Sequence, residues 1–140
     1  MLEPSTIGAC EWDECALTVA ATVVSTAVSG QAVIDAGTKA LAREPLDPSV
    51  APGVDGQGWG ALLDHPEVVV ARMSEEHGIL DLSRTAWRPK VGEVVRVVPN
   101  HVCVVVHLND VVYGVRGDVV ETRWPVSARG REAPELMPAY

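Results

Sequence analysis

The chain has 140 residues, 47% of them hydrophobic, 21% charged and 4% aromatic, with a formal net charge of −8. That length and apolar share suit one domain with a real core and exclude general disorder. The acidic excess excludes nucleic acid as the main partner, since phosphate binding needs clustered Lys and Arg. The longest apolar run, Ala16 to Val28, is too short and too rich in Thr and Ser to cross a membrane.

The start, MLEPSTIGACEWDEC, has neither a basic n-region nor an apolar h-region. No signal peptide is read there, and the cytosol is the expected compartment. Three cysteines are too few and too odd for a disulfide framework, which leaves free thiols or a metal ligand.

Residues 1–12 show little periodicity and are expected to be loose. Glu14 to Ser29 is dense in Val and Thr, which favours one long strand. Ser29-Gly30 is a turn signal, and Gln31 to Asp35 reads as the returning strand. Thr38 to Arg43 is rich in helix formers and suits one helical turn. Glu44 to Gly58 carries three prolines and three glycines and is expected to be an exposed, mobile loop.

Three strands are expected next: Trp59 to Leu63, Glu67 to Ser74 and Gly78 to Leu82. A fourth runs from Glu93 to Val98 and is stopped by Pro99-Asn100. Asn100 to Leu108 suits either a strand or a short helix. Asp110 to Arg116 and Asp118 to Trp124, separated by Gly117, read as a β-hairpin. The tail, 132–140, is expected to be loose. The sum is a mainly β domain, an antiparallel sandwich or partly open barrel with one or two short helical turns.

The sharpest chemical feature is His101-Val102-Cys103, directly after the Pro-Asn break. Imidazole and thiolate both suit zinc, and residues two apart on extended backbone point the same way. Two protein ligands leave an open coordination sphere, as a catalytic metal needs. The competing reading is a half-buried histidine beside a core cysteine. A closed, four-ligand site built from Cys10, Cys15, His101 and Cys103 is a second metal reading, weakened by the wide Cys10–Cys15 gap.

Ser74-Glu75-Glu76-His77-Gly78 sets two carboxylates beside an imidazole, which makes His77 a candidate for acid–base work; a solvated acidic turn is the competing reading. Asp35-Ala36-Gly37-Thr38-Lys39 contains a lysine open to a Schiff-base reading, against that of a plain surface lysine. No phosphate-cradling glycine loop and no Gly-x-Ser-x-Gly elbow is present.

These segments form an ordered series: Asp13 to Val19, Ala21 to Ser25, Asp35 to Leu41, Ser74 to Gly78, Pro89 to Glu93, Val98 to Cys103 and Arg123 to Gly130. From about Cys10 to Arg131 the series resembles the C-terminal β domain of the D-serine dehydratase / D-threonine aldolase family, pyridoxal-phosphate enzymes of alanine-racemase-like fold. The resemblance implies a β domain over 13–131 with His101 and Cys103 as zinc ligands. It implies a D-hydroxy amino acid substrate, whose β-hydroxyl the zinc would polarise in a β-elimination. The aldolase branch carries an acidic residue where Cys103 stands, so Cys103 tilts the choice toward the dehydratase side, with retro-aldol cleavage as the alternative.

In that family the cofactor lysine and phosphate groups lie in an N-terminal (β/α)8 barrel, and 140 residues are too few to hold one as well. Lys39 does not match the cofactor lysine, so no pyridoxal-phosphate ligand is expected within this chain. The resemblance therefore implies a partner barrel, in cis or in trans, and an isolated chain without activity. The alternative is a non-catalytic β module that binds metal or dimerises. A homodimer is expected, because an apolar face left by a missing barrel would self-associate.

Overall fold

In the computed structural model the described residues are Gly8, 10–45, 58–127 and Arg129. The expected loop over 44–58 therefore lies mostly outside them, as does the tail 132–140.

Among the described residues eight strands and three short helices form. A 3-10 turn, α1 (Trp12–Glu14), is followed by β1 (Val19–Ser25), β2 (Gln31–Ile34) and α2 (Thr38–Leu41). Then come β3 (Gly60–Leu62), β4 (Val70–Met73), β5 (Gly78–Asp81), β6 (Val94–Pro99), α3 (Val102–Leu108), β7 (Val111–Arg116) and β8 (Val119–Pro125). Six strands make one antiparallel sheet in the order β3-β6-β1-β2-β5-β4.

The sheet curls until its two edges meet. Ala61 on β3 bridges Val69, the Leu62 N–H donates to the Val68 carbonyl at 3.0 Å, and the Trp59 N–H to the Val70 carbonyl at 2.9 Å. The result is a nearly closed barrel, one of the two expected architectures, and closure removes the exposed edges that invite aggregation. Its interior holds Val23, Ile34, Leu62, Val68, Val70, Leu80 and Val97, all 1% exposed or less. Branched and γ-branched aliphatics at period two supply this filling, so a chain without Phe still packs densely.

One expectation needs correction and one open choice is decided. The long strand over 14–29 shrinks to Val19–Ser25, because pairing and not Val content sets strand length: Val19 to Thr22 face Val97 to Val94, and Val23 faces Ile34. Of the two readings left open for 100–108, the helix forms. β6 already has β3 and β1 on its two sides, and Val102 and Val106 (half-buried) with Val105 (buried) turn inward at helical spacing. α3 packs beside α2.

The hairpin forms as expected. Arg116 pairs with Val119 across a two-residue turn, where Gly117 supplies a positive φ of 58°. Among the described residues β7 and β8 pair only with each other, and Tyr113, Val115, Val119, Val120 and Trp124 remain exposed. No helix of the described residues is long and apolar enough to cross a membrane.

Candidate metal site at the start of α3

His101 is the extended residue that caps α3 (φ −136°, ψ 134°), and Cys103 lies in the first helical turn. The period-two argument that paired them on a strand does not hold across this junction, because helical positions advance about 100° per residue. What the structure does instead is set both side chains at the accessible start of one helix. The His101 side chain is 38% exposed and Cys103 is exposed. The competing picture, a cysteine in the core, fits Cys15 at 4% exposure and not Cys103.

Two further residues build this corner. Asn100 is 4% exposed, and its Nδ2 donates to the carbonyls of Glu44 and Gly58, both at 2.9 Å. Its Oδ1 is buried with no hydrogen-bond partner among the described residues. The Glu44 carboxylate reaches to 3.6 Å from His101 Nδ1. Sequence reading missed both. The sequence marks Asn100 only as a strand stop and Glu44 only as the beginning of a loop, since their meeting is a long-range contact.

Among the described residues no group of three or more His, Cys, Asp or Glu is arranged to hold a metal ion. The closed site of Cys10, Cys15, His101 and Cys103 is therefore not formed. His101 and Cys103 still offer an accessible nitrogen and sulfur donor set, which suits zinc and leaves positions for other ligands.

His77 lies elsewhere, exposed in the turn between β4 and β5. The Ser74 N–H donates to the His77 carbonyl at 2.8 Å, and the His77 N–H to Ser74 Oγ at 3.1 Å. The two neighbouring carboxylates pair with Lys39, Glu75 at 3.3 Å and Glu76 at 2.5 Å. Those two carboxylates, Glu76 first, raise the Lys39 pKa above its usual value. A Schiff-base lysine needs the opposite, an amine made neutral by desolvation.

The same turn explains the Asp35–Lys39 segment. The N–H groups of Thr38 and Lys39 donate to the carbonyls of Ser74 and Glu75 at 3.0 and 3.1 Å. A Cβ on Gly37 would fall 2.5 Å from both those carbonyl oxygens. Asp35 Oδ1 accepts from the Thr22 N–H at 2.6 Å and prolongs the β1–β2 ladder past its last residue. These two sequence motifs thus join α2 to the barrel. A separate shallow cavity of about 280 Å³, lined by Thr26, Val28, Gln31, Leu82, Arg88 and Pro89 among others, contains none of the candidate residues.

A family model described as "Putative serine dehydratase domain" matches residues 16–115. An uncharacterized protein of Mycobacterium tuberculosis is 40% identical over 129 residues, covering 89% of this chain and 92% of its own length. The D-threonine aldolase of Arthrobacter sp. is 34% identical over 128 residues, 88% of this chain but 31% of that enzyme. The D-threo-3-hydroxyaspartate dehydratase of Delftia sp. HT23 superposes with a TM-score of 0.70 at 27% identity, over 86% of this chain and 34% of that one. Solved variants of that dehydratase replace a histidine and a cysteine two positions apart by alanine, the cysteine variant being described as the metal-free form.

Proposed function

The chain belongs to the putative serine dehydratase domain family, and from that premise we propose that it is the metal-binding β domain of a lyase of 3-hydroxy D-amino acids, with His101 and Cys103 as its zinc ligands. The observation that carries this reading is the pairing of those two donors, two positions apart and accessible at the start of α3. The related dehydratase whose variants alter a histidine and a cysteine at the same spacing supports it.

Bound there, zinc would supply Lewis acidity toward a substrate hydroxyl, and pyridoxal phosphate, held by a (β/α)8 barrel in cis or in trans, would supply an electron sink. The chain's own part is to hold the metal at an open corner and to offer one wall of the site. β-Elimination is the reaction proposed. Retro-aldol cleavage is the second reading, favoured by the similarity to the D-threonine aldolase of Arthrobacter sp..

A third reading is a β module that works without a barrel, by binding metal or by dimerising. One observation favours it: the Mycobacterium tuberculosis relative is matched over 92% of its own length, so it is scarcely longer than the matched domain. A barrel-encoding reading frame beside the gene would favour the lyase reading over this one.

The metal claim is tested by elemental analysis of the purified chain and its His101→Ala/Cys103→Ala double variant. Zinc is expected near one equivalent per chain in the parent and lost in the variant. Equal zinc in both would overturn it. The isolated chain with added pyridoxal phosphate is expected to leave D-serine untouched, and measurable turnover would refute the need for a barrel.

A further inference from the structure

Two cysteines near the start of the chain, Cys10 and Cys15, have no part in the reading above. We propose that they are a modification site: a thiol pair that a small-molecule disulfide, such as glutathione disulfide, converts reversibly into an intramolecular disulfide. The proposal stands apart from the zinc reading, which uses only Cys103 among the cysteines.

Spacing alone does not bring these two residues together; the local structure does. The turn α1 is closed by two main-chain bonds, Glu14 N–H to the Glu11 carbonyl at 3.1 Å and Cys15 N–H to the Trp12 carbonyl at 3.2 Å. The Glu11 N–H donates back to Glu14 Oε2 at 2.7 Å. The chain therefore doubles back between the two cysteines. Cys15 Sγ comes to 3.9 Å from the Glu11 carbonyl oxygen, over the residue next to Cys10. The two thiols are close enough to hydrogen-bond each other.

The turn is anchored as well as closed. Trp12 Nε1 donates to the Leu63 carbonyl at 3.0 Å, and the Leu63 N–H donates to the Arg96 carbonyl of β6 at 2.8 Å. Cys15 is 4% exposed. Cys10 precedes the cap of the turn, belongs to no helix or strand, and is half-exposed. One sulfur is thus fixed by the fold, and the other is open to solvent. A disulfide holds its sulfurs about 2 Å apart, and the closing movement falls to Cys10.

This asymmetry sets the order of the chemistry. The Cys10 thiolate attacks one sulfur of glutathione disulfide and breaks its S–S bond. One glutathione leaves and takes the proton that Cys10 gave up. Cys15 then loses its proton and attacks the Cys10 sulfur, and the second glutathione leaves with that proton. Two protein thiols become one disulfide, one small disulfide becomes two thiols, and no other oxidant is consumed. Desolvation first, then the charge and hydrogen bond of Cys15, hold the Cys10 thiol above its usual pKa, so the first step quickens as pH rises. The second step is intramolecular and gains from proximity.

The test incubates the full metal-free chain in glutathione buffers of rising disulfide fraction. It reads intact mass, and the linked peptides after cleavage at Glu11 and Glu14. Cys103 is exposed and reacts as well, so the deciding protein is Cys103→Ser. Its expected product is lighter by two hydrogens, carries no glutathione, joins the Cys10 and Cys15 peptides, and reverts in excess reduced glutathione. With Cys15→Ser added, the reaction is expected to stop at one glutathione on Cys10. With Cys10→Ser added instead, the folded chain is expected to take none. Circular dichroism checks the fold of both double variants, and the Cys103→Ser result decides the pairing without them.

A Cys103→Ser chain that keeps glutathione on Cys10 and forms no internal disulfide overturns the proposal. So does a product in which these cysteines join two chains. Glutathione on Cys15 in folded Cys10→Ser/Cys103→Ser overturns the order of attack.

Discussion

Asn100 is where the structure makes its most exposed energetic claim, and two substitutions test it. Asn100→Ala removes two hydrogen bonds of 2.9 Å, to the carbonyls of Glu44 and Gly58. Each is worth about 1 kcal/mol net, and the carbonyls left behind add to the loss. Against this, the substitution also removes Oδ1, which is buried without a partner, and recovers about 1 kcal/mol. The expected net cost is about 1–2 kcal/mol.

Asn100→Asp changes the volume far less, yet should cost more. It replaces the donor by an oxygen facing two carbonyl oxygens and buries a charge, so about 3 kcal/mol or more is expected at neutral pH. Burial and the two facing carbonyls favour the protonated carboxyl in the folded state, so its folded pKa would lie above the unfolded value of about 4. Stability linked to a raised pKa is present below the unfolded pKa and lost as pH rises through the folded one. The Asp variant should therefore approach the Ala variant near pH 4 and fall below it at pH 7. Urea denaturation at both pH values reads this order. An Asp variant as stable as the Ala variant at neutral pH would refute the assigned donor geometry.

Gly37→Ala should destabilise the chain by about 1–3 kcal/mol in urea, because its Cβ would meet the Ser74 and Glu75 carbonyls at 2.5 Å and neither is a flexible side-chain end; a neutral result would show that α2 can lift from the turn. The Asp81 carboxyl is held below its usual pKa, first by the Ser83 N–H, then by the Ser83 hydroxyl and the charge of Arg84. A depressed carboxylate contributes stability above its unfolded pKa and loses it as pH falls, so the gap between parent and Asp81→Asn should close below about pH 4; a gap independent of pH would contradict this. Cys103 should react quickly with a thiol reagent and buried Cys15 only on unfolding; zinc should slow the Cys103 reaction, and equal rates with and without zinc would count against a thiolate ligand.

Much of the barrel was legible in the sequence. Alternating Val-rich runs bounded by Gly and Pro located all eight strands, and Gly117 marked the hairpin, because strand periodicity and turn chemistry are local properties. The helix over Val102–Leu108 was legible only as an alternative, since a run of four valines among seven residues favours a strand by propensity. Tertiary context reversed that preference: both flanks of β6 were occupied, and burial at spacings of three and four became available. Glu75, Glu76 and His77 read as one chemical cluster, yet the two carboxylates turned to Lys39, 36 and 37 positions earlier, a pairing that neighbouring residues do not reveal.

For this protein, then, the sequence by itself determined the residue types that carry chemistry and the order of the segments that carry the family likeness. His101 and Cys103 stand two apart whatever the fold. Only the tertiary structure decided what surrounds them. Closing the barrel brings Glu44 and Gly58 to Asn100 and leaves the start of α3 accessible, because these contacts join residues more than forty positions apart. It also leaves the apolar hairpin outside the core, since a two-stranded ribbon paired with no other strand has only one chain of its own to cover it.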